Sequence, residues 1–276
     1  MSANSHHYNA AVRGSVYYAA ASNRPLFAYA YAPHGTEETN IEFVEHVVEI
    51  RDVRQSRQPL RLEVEGASVL RHRSAVHSFY DEEELRRIGY PETADLVRTA
   101  TGAADVVVFD HNIRGPVGPA TALAAGDVKR PVFHVHTDFS GKSAHARACA
   151  VLGKAPVPGQ RMAAINVWRP IVGPLRDCPL AICDASSVDE RDLLAADLLY
   201  PDRTGQIYYV TYNPAHRWYF ASDMRTDEAW IFKNYDSATD GKARFAPHTA
   251  FIDTTDHPVV APRQSVEFRT FAFFND

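Results

Sequence analysis

The sequence is poor in the features that mark several common protein classes. Three cysteines occur in 276 residues, an odd number with no C-x-x-C pair. This argues against a disulfide framework and a cysteine-based zinc site, and it favours a reducing cytoplasm. No uninterrupted apolar run approaches twenty residues and the N-terminus shows no apolar signal core, so neither a transmembrane helix nor a secretory signal is predicted.

Charge excludes a further group of partners. The chain carries 29 basic and 34 acidic side chains, and no basic run stands out. Nucleic acid and anionic membranes are therefore not expected as partners. Glycine-rich phosphate loops, a G-x-S-x-G elbow and a Rossmann fingerprint are also missing, which gives NAD, ATP and serine-hydrolase chemistry no support.

What the sequence does contain is a long series of strand-like segments. From residue 104 onwards, short aromatic and β-branched runs such as RMAAINVWRPI, EAWIFKNYDS and SVEFRTFAFF alternate with breaks rich in Pro, Gly and Asp. This pattern is typical of a β-sandwich or barrel. We predict one domain over residues 1–276, of the α+β class but mainly β. An α/β part (1–103) would pack on a jelly-roll core (104–276).

Three helices are predicted to flank this core. Asp81 is a suitable N-cap for a helix over residues 81–85, since acidic residues follow it. A second helix, 91–100, would begin with proline and end at Gly102. A third, over residues 143–153, would end at Gly153.

The segment PVFHVHTDFS, residues 131–140, raises the question of a metal site, since the chain is also rich in histidine. Side chains at i and i+2 of a strand share a face, so His136 and Asp138 could bind one ion. Two imidazoles and one carboxylate form the facial triad of non-haem Fe(II) oxygenases. The spacing alone is weak evidence, because 13 histidines and 34 acidic residues supply roughly one or two such pairs by chance.

A later part of the chain contains candidates for a third metal ligand and for residues that bind a carboxylate. His248, in a strand-like segment, is the candidate third ligand, and His216 is its rival. Arg263 follows 15 residues after His248, and Ser265 comes two residues later. A guanidinium can bind the distal carboxylate of 2-oxoglutarate bidentately, and a hydroxyl can add a hydrogen bond. Arg269 is a second candidate for this carboxylate.

Several longer motifs resemble one family. They are VVVFDHNIR (106–114), HVHTDFS (134–140), NVWRPI (166–171), PLAICDASSV (179–188), HRWYF (216–220), DEAWIFKNYDS (227–237), PHTAFID (247–253) and PRQSVEFR (262–269). The set is similar to a hydroxylase/desaturase family that includes fungal gibberellin desaturase-like proteins and the small-subunit-like protein of cephamycin 7-methoxylation. The resemblance implies a double-stranded β-helix, cupin-like core and Fe(II)/2-oxoglutarate-dependent oxidation of a secondary metabolite by O2.

Carried over by position, the resemblance implies His136, Asp138 and His248 as metal ligands, with Arg263 and Ser265 on 2-oxoglutarate. Arg169 is predicted to anchor a substrate carboxylate or to assist the binding of 2-oxoglutarate, against a structural salt bridge. His111 and Arg114 flank a strand end and are predicted to contact the substrate or a residue that does so, against a structural role. His134 is predicted to be packed or to support a ligand residue. The expected partner is a small natural-product intermediate, and a homo-oligomer is possible. Two alternatives stay open: a cupin-like metal enzyme that does not use 2-oxoglutarate, and a metal-free accessory protein.

Overall fold

The computed structural model describes residues 10–30, 38–115, 128–254 and 261–275. Its strands, in chain order, are β1 (Ala11–Ala19), β2 (Leu26–Tyr29), β3 (Phe43–Asp52), β4 (Ala67–Arg71), β5 (Asp105–Arg114), β6 (Val128–Lys129), β7 (His136–Thr137), β8 (Met162–Pro170), β9 (Leu180–Cys183), β10 (Leu193–Leu199), β11 (Thr204–Val210), β12 (Trp218–Phe220), β13 (Glu228–Asp236), β14 (His248–Ala250), β15 (Ile252–Asp253) and β16 (Ser265–Phe273).

These strands form two sheets. The larger has the order β15-β1-β3-β12-β9-β14-β7-β11-β10-β2, and the smaller has the order β4-β13-β8-β16-β5-β6. The prediction of a mainly β protein is confirmed. Each sheet takes strands from both sides of residue 103, because β1–β3 pair within the larger sheet and β4 pairs with β13. The described strands before and after residue 103 therefore alternate within the same sheets instead of forming separate layers.

The helices lie outside the two sheets. Asp81 caps α1 (Glu82–Glu84), accepting hydrogen bonds from the main-chain N–H of Glu83 and Glu84. A π-helical turn (Leu85–Gly89) connects α1 to α2 (Tyr90–Thr101), which ends at Gly102 with φ +72°. The two helices predicted here are thus one continuous helical segment, whose start and end were correctly placed.

The third predicted helix, α3 (Gly141–Leu152), begins two residues earlier than expected, because Ser140 and Ser143 form a capping box. Short 3-10 turns occupy Val53–Gln55, Ala185–Ser187 and Glu190–Asp192. Within the described residues no helix is both long and apolar enough to cross a bilayer.

The smaller sheet is covered on both faces. Its outer face packs against the α2 region through a core that includes Leu85, Val97, Val167 and Phe268. Its inner face meets the larger sheet through a second core that includes Trp168, Ile182 and Phe232. As a result every residue of β8 and β13 is buried. The space between the sheets, where β7 and β14 face β8 and β16, is where polar side chains collect.

Candidate metal centre

His136, Asp138 and His248 come together in the middle of the larger sheet. His136 of β7 pairs with His248 of β14 across the ladder, which places the two rings on one face with centroids 4.5 Å apart. Asp138 follows β7, and its Oδ1 lies 3.7 Å from Nε2 of His136. The potential ligand atoms of the three residues all lie within 4.8 Å of one another. The three predicted ligands therefore form one cluster that could hold a metal ion.

Both imidazoles are held in the neutral form that a metal requires. Nδ1 of His136 is 2.7 Å from the main-chain oxygen of His134, a contact that makes Nδ1 the donor and leaves Nε2 with its lone pair. Nδ1 of His248 is buried and makes no hydrogen bond within the described part of the chain. Burial lowers the pKa of His136 and of His248 to about 4. At neutral pH each ring carries only one proton, which leaves its other nitrogen free to bind an ion.

Asp138 is held ionised and in a fixed orientation. Its Oδ2 accepts hydrogen bonds of 2.8 Å from Nε of Arg269 and 2.8 Å from Nδ2 of Asn166. Its main-chain N–H donates to Oδ1 of Asn234 at 2.7 Å. Burial by itself would raise the pKa of Asp138, but the charge of Arg269 outweighs it and keeps the pKa well below its ordinary range. The carboxylate is thus ready to bind a cation.

The surroundings of the cluster also fit a bound polar group. Seven buried side-chain polar atoms in the described residues make no hydrogen bond, and five of them face the space between the sheets: Oδ1 of Asn166, Nε1 of Trp168, Nδ2 of Asn234, Nδ1 of His248 and Oε1 of Glu267. Buried polar atoms are normally satisfied, so such a concentration indicates a place for water or a ligand. Two neutral imidazoles and one carboxylate suit a divalent first-row metal such as Fe(II).

Arg263 and Ser265 also lie together. Arg263 is 4% exposed, its Nε donates to Oγ of Ser265 at 3.0 Å, and its Nη1 donates to the main-chain oxygen of Cys178 at 2.8 Å. The guanidinium carbon lies 4.9 Å from the ring centroid of Trp168. Burial lowers the pKa of Arg263 to about 9, with a further contribution from the charge of Arg114. The predicted Arg-x-Ser pair is therefore a buried cation and hydroxyl at the start of β16.

Arg169 lies outside this site. In β8, Asn166 and Trp168 pair with Arg269 and Glu267 of β16, so these residues share the inner face. Arg169 has the opposite orientation: its Nη2 donates to the main-chain oxygen of His72, and its guanidinium lies 5.9 Å from the Phe79 ring. Arg169 therefore lies on the face of β8 that points away from the cluster, and its substrate contact stays a prediction.

His111 has the same outward orientation on β5. Its Nδ1 is 3.0 Å from the hydroxyl of Tyr90, and its Nε2 is 3.1 Å from Oε2 of Glu82. Arg269 does face inwards, but its guanidinium is paired with Asp138 and Asp110, not free for a co-substrate. His111 is therefore away from the metal cluster, and Arg269 belongs to the metal-binding part of the site.

Two further histidines have structural surroundings. His216, the rival third ligand, has Nε2 3.1 Å from Oδ2 of Asp192 and Nδ1 3.1 Å from the hydroxyl of Tyr18, and it is not part of the cluster. His134 stacks on Phe43 with ring centroids 3.7 Å apart and 4° between the planes. This packed position agrees with the expectation for His134.

The sequence reasoning missed Asn234 and Glu267 as inner-face residues, and it left open whether Asn166 faces inwards. These three residues lie within the long runs AAINVW, WIFKNY and SVEFRT. An amide or carboxyl in an otherwise apolar buried strand must find a partner, and this signal could have indicated all three. Arg114, predicted beside His111 as a strand-end residue of the site, is the last residue of β5 and lies opposite Ser265.

The geometry defines a class: a two-sheet β protein with two histidines and one carboxylate gathered between the sheets, as in non-haem Fe(II) oxygenases. A family model described as "Oxidoreductase/YMDC permease-like domain" matches residues 16–273. The chain belongs to this family.

Curated relatives extend the comparison. The chain is 30% identical over 271 residues to the hydroxylase/desaturase efuI of Hormonema carpetanum, covering 88% of this chain and 89% of the relative. It is 32% identical over 237 residues to the alpha-ketoglutarate-dependent dioxygenase phiK of a fungal species, covering 82% and 83%. It is also 32% identical over 253 residues to the hydroxylase/desaturase CTB9 of Cercospora beticola, covering 83% and 76%. The resemblance to hydroxylases and desaturases is confirmed.

The fold has a solved counterpart. The iron and alpha-ketoglutarate-dependent endoperoxidase NvfI superposes with a TM-score of 0.86 at 24% identity, covering 97% of this chain and 99% of that one. At this level of identity the likeness shows the shared jelly-roll fold.

Proposed function

We propose that this protein is a non-haem Fe(II)/2-oxoglutarate-dependent dioxygenase that hydroxylates or desaturates a small-molecule intermediate of secondary metabolism. The observation that carries the proposal is the cluster of His136, Asp138 and His248, with neutral imidazoles and an ionised carboxylate. The relatives named hydroxylase/desaturase and alpha-ketoglutarate-dependent dioxygenase support it. We assign the two-sheet core to the double-stranded β-helix, cupin-like type.

Each part of the site has a role in this proposal. His136, Asp138 and His248 hold Fe(II), and Arg263 with Ser265 binds the distal carboxylate of 2-oxoglutarate. When bound, Fe(II) with 2-oxoglutarate and O2 supplies the oxidising power for cleaving a C–H bond. Arg269 keeps the carboxylate of Asp138 ionised, and Asn166 fixes its orientation.

The surrounding protein controls access and outcome. Phe232, whose ring centroid lies 4.7 Å from that of His248, and Trp168 border the site with apolar surface that limits water. Placement of the target C–H bond within about an ångström decides between hydroxylation, desaturation and ring formation. A natural-product intermediate as substrate, a cytoplasmic location and a homo-oligomer remain predictions.

Anaerobic reconstitution tests the proposal. The protein is mixed with Fe(II) and 2-oxoglutarate without O2, and the visible spectrum is recorded. A weak metal-to-ligand charge-transfer band is expected in the wild type and in His77→Ala, whose imidazole is exposed on the surface. The band should be absent from His248→Ala. A folded wild type without the band, or a band that persists in His248→Ala, would refute the assignment.

A further inference from the structure

Three arginines face the space between the sheets: Arg114, Arg263 and Arg269. They differ in whether a neighbouring carboxylate neutralises their charge. Arg269 forms ion pairs with Asp138 at 2.8 Å and Asp110 at 3.2 Å, and its pKa is raised although burial opposes this. Arg114 and Arg263 form no ion pair with a carboxylate among residues 10–30, 38–115, 128–254 and 261–275. Both cations are thus without the counter-charge that Arg269 has.

Within the described part of the chain, the hydrogen-bond acceptors of these two guanidiniums are uncharged. Nη1 of Arg114 donates to the main-chain oxygen of Arg130 at 2.8 Å, and Nη1 of Arg263 donates to that of Cys178 at 2.8 Å. Burial lowers the pKa of both arginines, that of Arg263 to about 9. A carbonyl satisfies one N–H but does not compensate the desolvation of a positive charge.

The strand register brings the two arginines to one place. Arg114, the last residue of β5, lies opposite Ser265, the first residue of β16, and residues so paired have Cβ atoms about 4.5–5.5 Å apart on one face. Oγ of Ser265 accepts the hydrogen bond from Nε of Arg263. The charge of Arg114 is, after burial, the first cause of the lowered pKa of Arg263. The register therefore places Arg114 opposite Ser265, the residue whose hydroxyl is hydrogen-bonded to Arg263.

The carboxyl group that could compensate Arg114 on the same face is that of Glu267. It makes no ion pair with Arg114, and its Oε1 lies 3.3 Å from Nη2 of Arg269. Burial, followed by the charge of Asp138, raises the pKa of Glu267. Glu267 thus forms its ion pair with Arg269, and its charge acts on Arg114 and Arg263 only without a direct ion pair.

We propose that Arg114 is a second co-substrate-binding residue, which holds the distal carboxylate of 2-oxoglutarate together with Arg263. This inference rests on the proposed function. One carboxylate between two guanidiniums gives each of them a charge-assisted hydrogen bond and offsets their mutual repulsion. Ser265 is common to both arginines: its hydroxyl accepts a hydrogen bond from Arg263, and it lies opposite Arg114 in the strand ladder.

Ligand binding tests the proposal without turnover. Affinities are measured by isothermal titration calorimetry on protein loaded with Mn(II), for 2-oxoglutarate and for 2-oxopentanoate, which lacks the distal carboxylate. The variants are Arg114→Gln, Arg114→Lys and Arg263→Gln. Arg130→Gln is the matched control, because its exposed side chain carries the same charge near Arg114. Thermal unfolding of each variant checks the fold.

The expected result is selective. Arg114→Gln should bind 2-oxoglutarate about ten- to a hundredfold more weakly, the effect of losing one hydrogen bond to a charged group. Its affinity for 2-oxopentanoate should stay close to that of the wild type. Arg263→Gln should show the same pattern, and Arg130→Gln should change neither affinity. Arg114→Lys, which keeps the charge, should recover part of the loss and remains informative if the glutamine variant does not fold.

Two results would overturn the inference alone. Equal weakening of both ligands would mean that Arg114 acts at the metal end of the co-substrate or on the fold. Unchanged affinity for both would show that Arg114 does not bind the co-substrate and would point instead to an anionic group of the primary substrate. A folded, metal-loaded wild type that does not bind 2-oxoglutarate would refute the proposed function itself, which is a different outcome.

Discussion

Replacing Arg269 with methionine removes the positive charge next to Asp138 and keeps an unbranched apolar side chain. Three carboxyl groups lose a partner: Asp138 at 2.8 Å, Asp110 at 3.2 Å and Glu267 at 3.3 Å. They differ in exposure, since the side chain of Asp110 is 44% exposed while those of Asp138 and Glu267 are 9% and 6% exposed. The effect should therefore come mainly from the two buried groups.

The magnitude follows from burial. Breaking a buried ion pair by removing one partner destabilises a protein by about 3–5 kcal/mol, because an uncompensated charge remains. Partial protonation of Asp138 or Glu267 limits the loss, since a buried carboxyl without a cation has a raised pKa. Screening by solvent makes the contribution of Asp110 small. We expect Arg269→Met to lower the free energy of unfolding of the metal-free protein by about 3–5 kcal/mol.

Urea unfolding at pH 7 measures this loss, with a double-mutant cycle to assign it. Arg269→Met should be less destabilising in an Asp138→Asn background, by about 0.5–3 kcal/mol, because residues in contact couple by this amount. Arg191→Met is the control, since the side chain of Arg191 is 88% exposed and solvent screens its pairing with Asp189, so the stability should hardly change. Additive losses in the cycle would show that Arg269 does not act through Asp138.

Two more predictions concern the metal cluster. Asn166→Ala removes the hydrogen bond to Oδ2 of Asp138 and should weaken Co(II) or Mn(II) binding about ten- to a hundredfold, measured by competition with a chelator; unchanged affinity would contradict this role. His134, His136 and His248 have pKa values of about 4 when folded, against about 6.5 unfolded, so the unfolded chain binds more protons between these values. The free energy of unfolding of the metal-free protein should therefore fall as pH decreases from 6.5 to 4, by at most about 4 kcal/mol per pH unit. Urea unfolding at several pH values measures this, and midpoints that do not change with pH in this range would contradict the burial of the three rings.

Local sequence rules were sufficient to predict which residues gather at the candidate site and how they are spaced along the chain. The pair His136 and Asp138 on one strand face, the distant His248, and Arg263 with Ser265 are each short-range patterns that strand geometry makes meaningful. The helix ends at Asp81, Gly102 and Gly153 follow from capping chemistry in the same way. These features need no knowledge of which strands are neighbours.

The inner and outer faces of the smaller sheet could not be predicted by the same means. A half-buried strand shows alternation of polar and apolar residues, but β8 and β13 are buried on both faces and lack it. Without alternation, the choice between Trp168 and Arg169 as the inward residue is undetermined, because a shift of one residue reverses every side chain. The same ambiguity applied to His111, whose outward orientation depends on its pairing with Phe268.

Which charged side chains form ion pairs could not be predicted from the sequence either. In the structure, these ion pairs divide the candidate site into two parts. Arg269 and Arg263 lie six residues apart and both face inwards, yet one is ion-paired with Asp138 while the other meets a hydroxyl and a main-chain carbonyl. A guanidinium already paired with a metal-ligand carboxylate has little to gain from a second anion, whereas one without a counter-charge gains a full ion pair. We therefore propose that Arg269 supports the metal and that Arg263, together with Arg114, binds the co-substrate. Loss of Arg269 should accordingly appear in metal affinity and stability, and loss of the other two in 2-oxo acid selectivity.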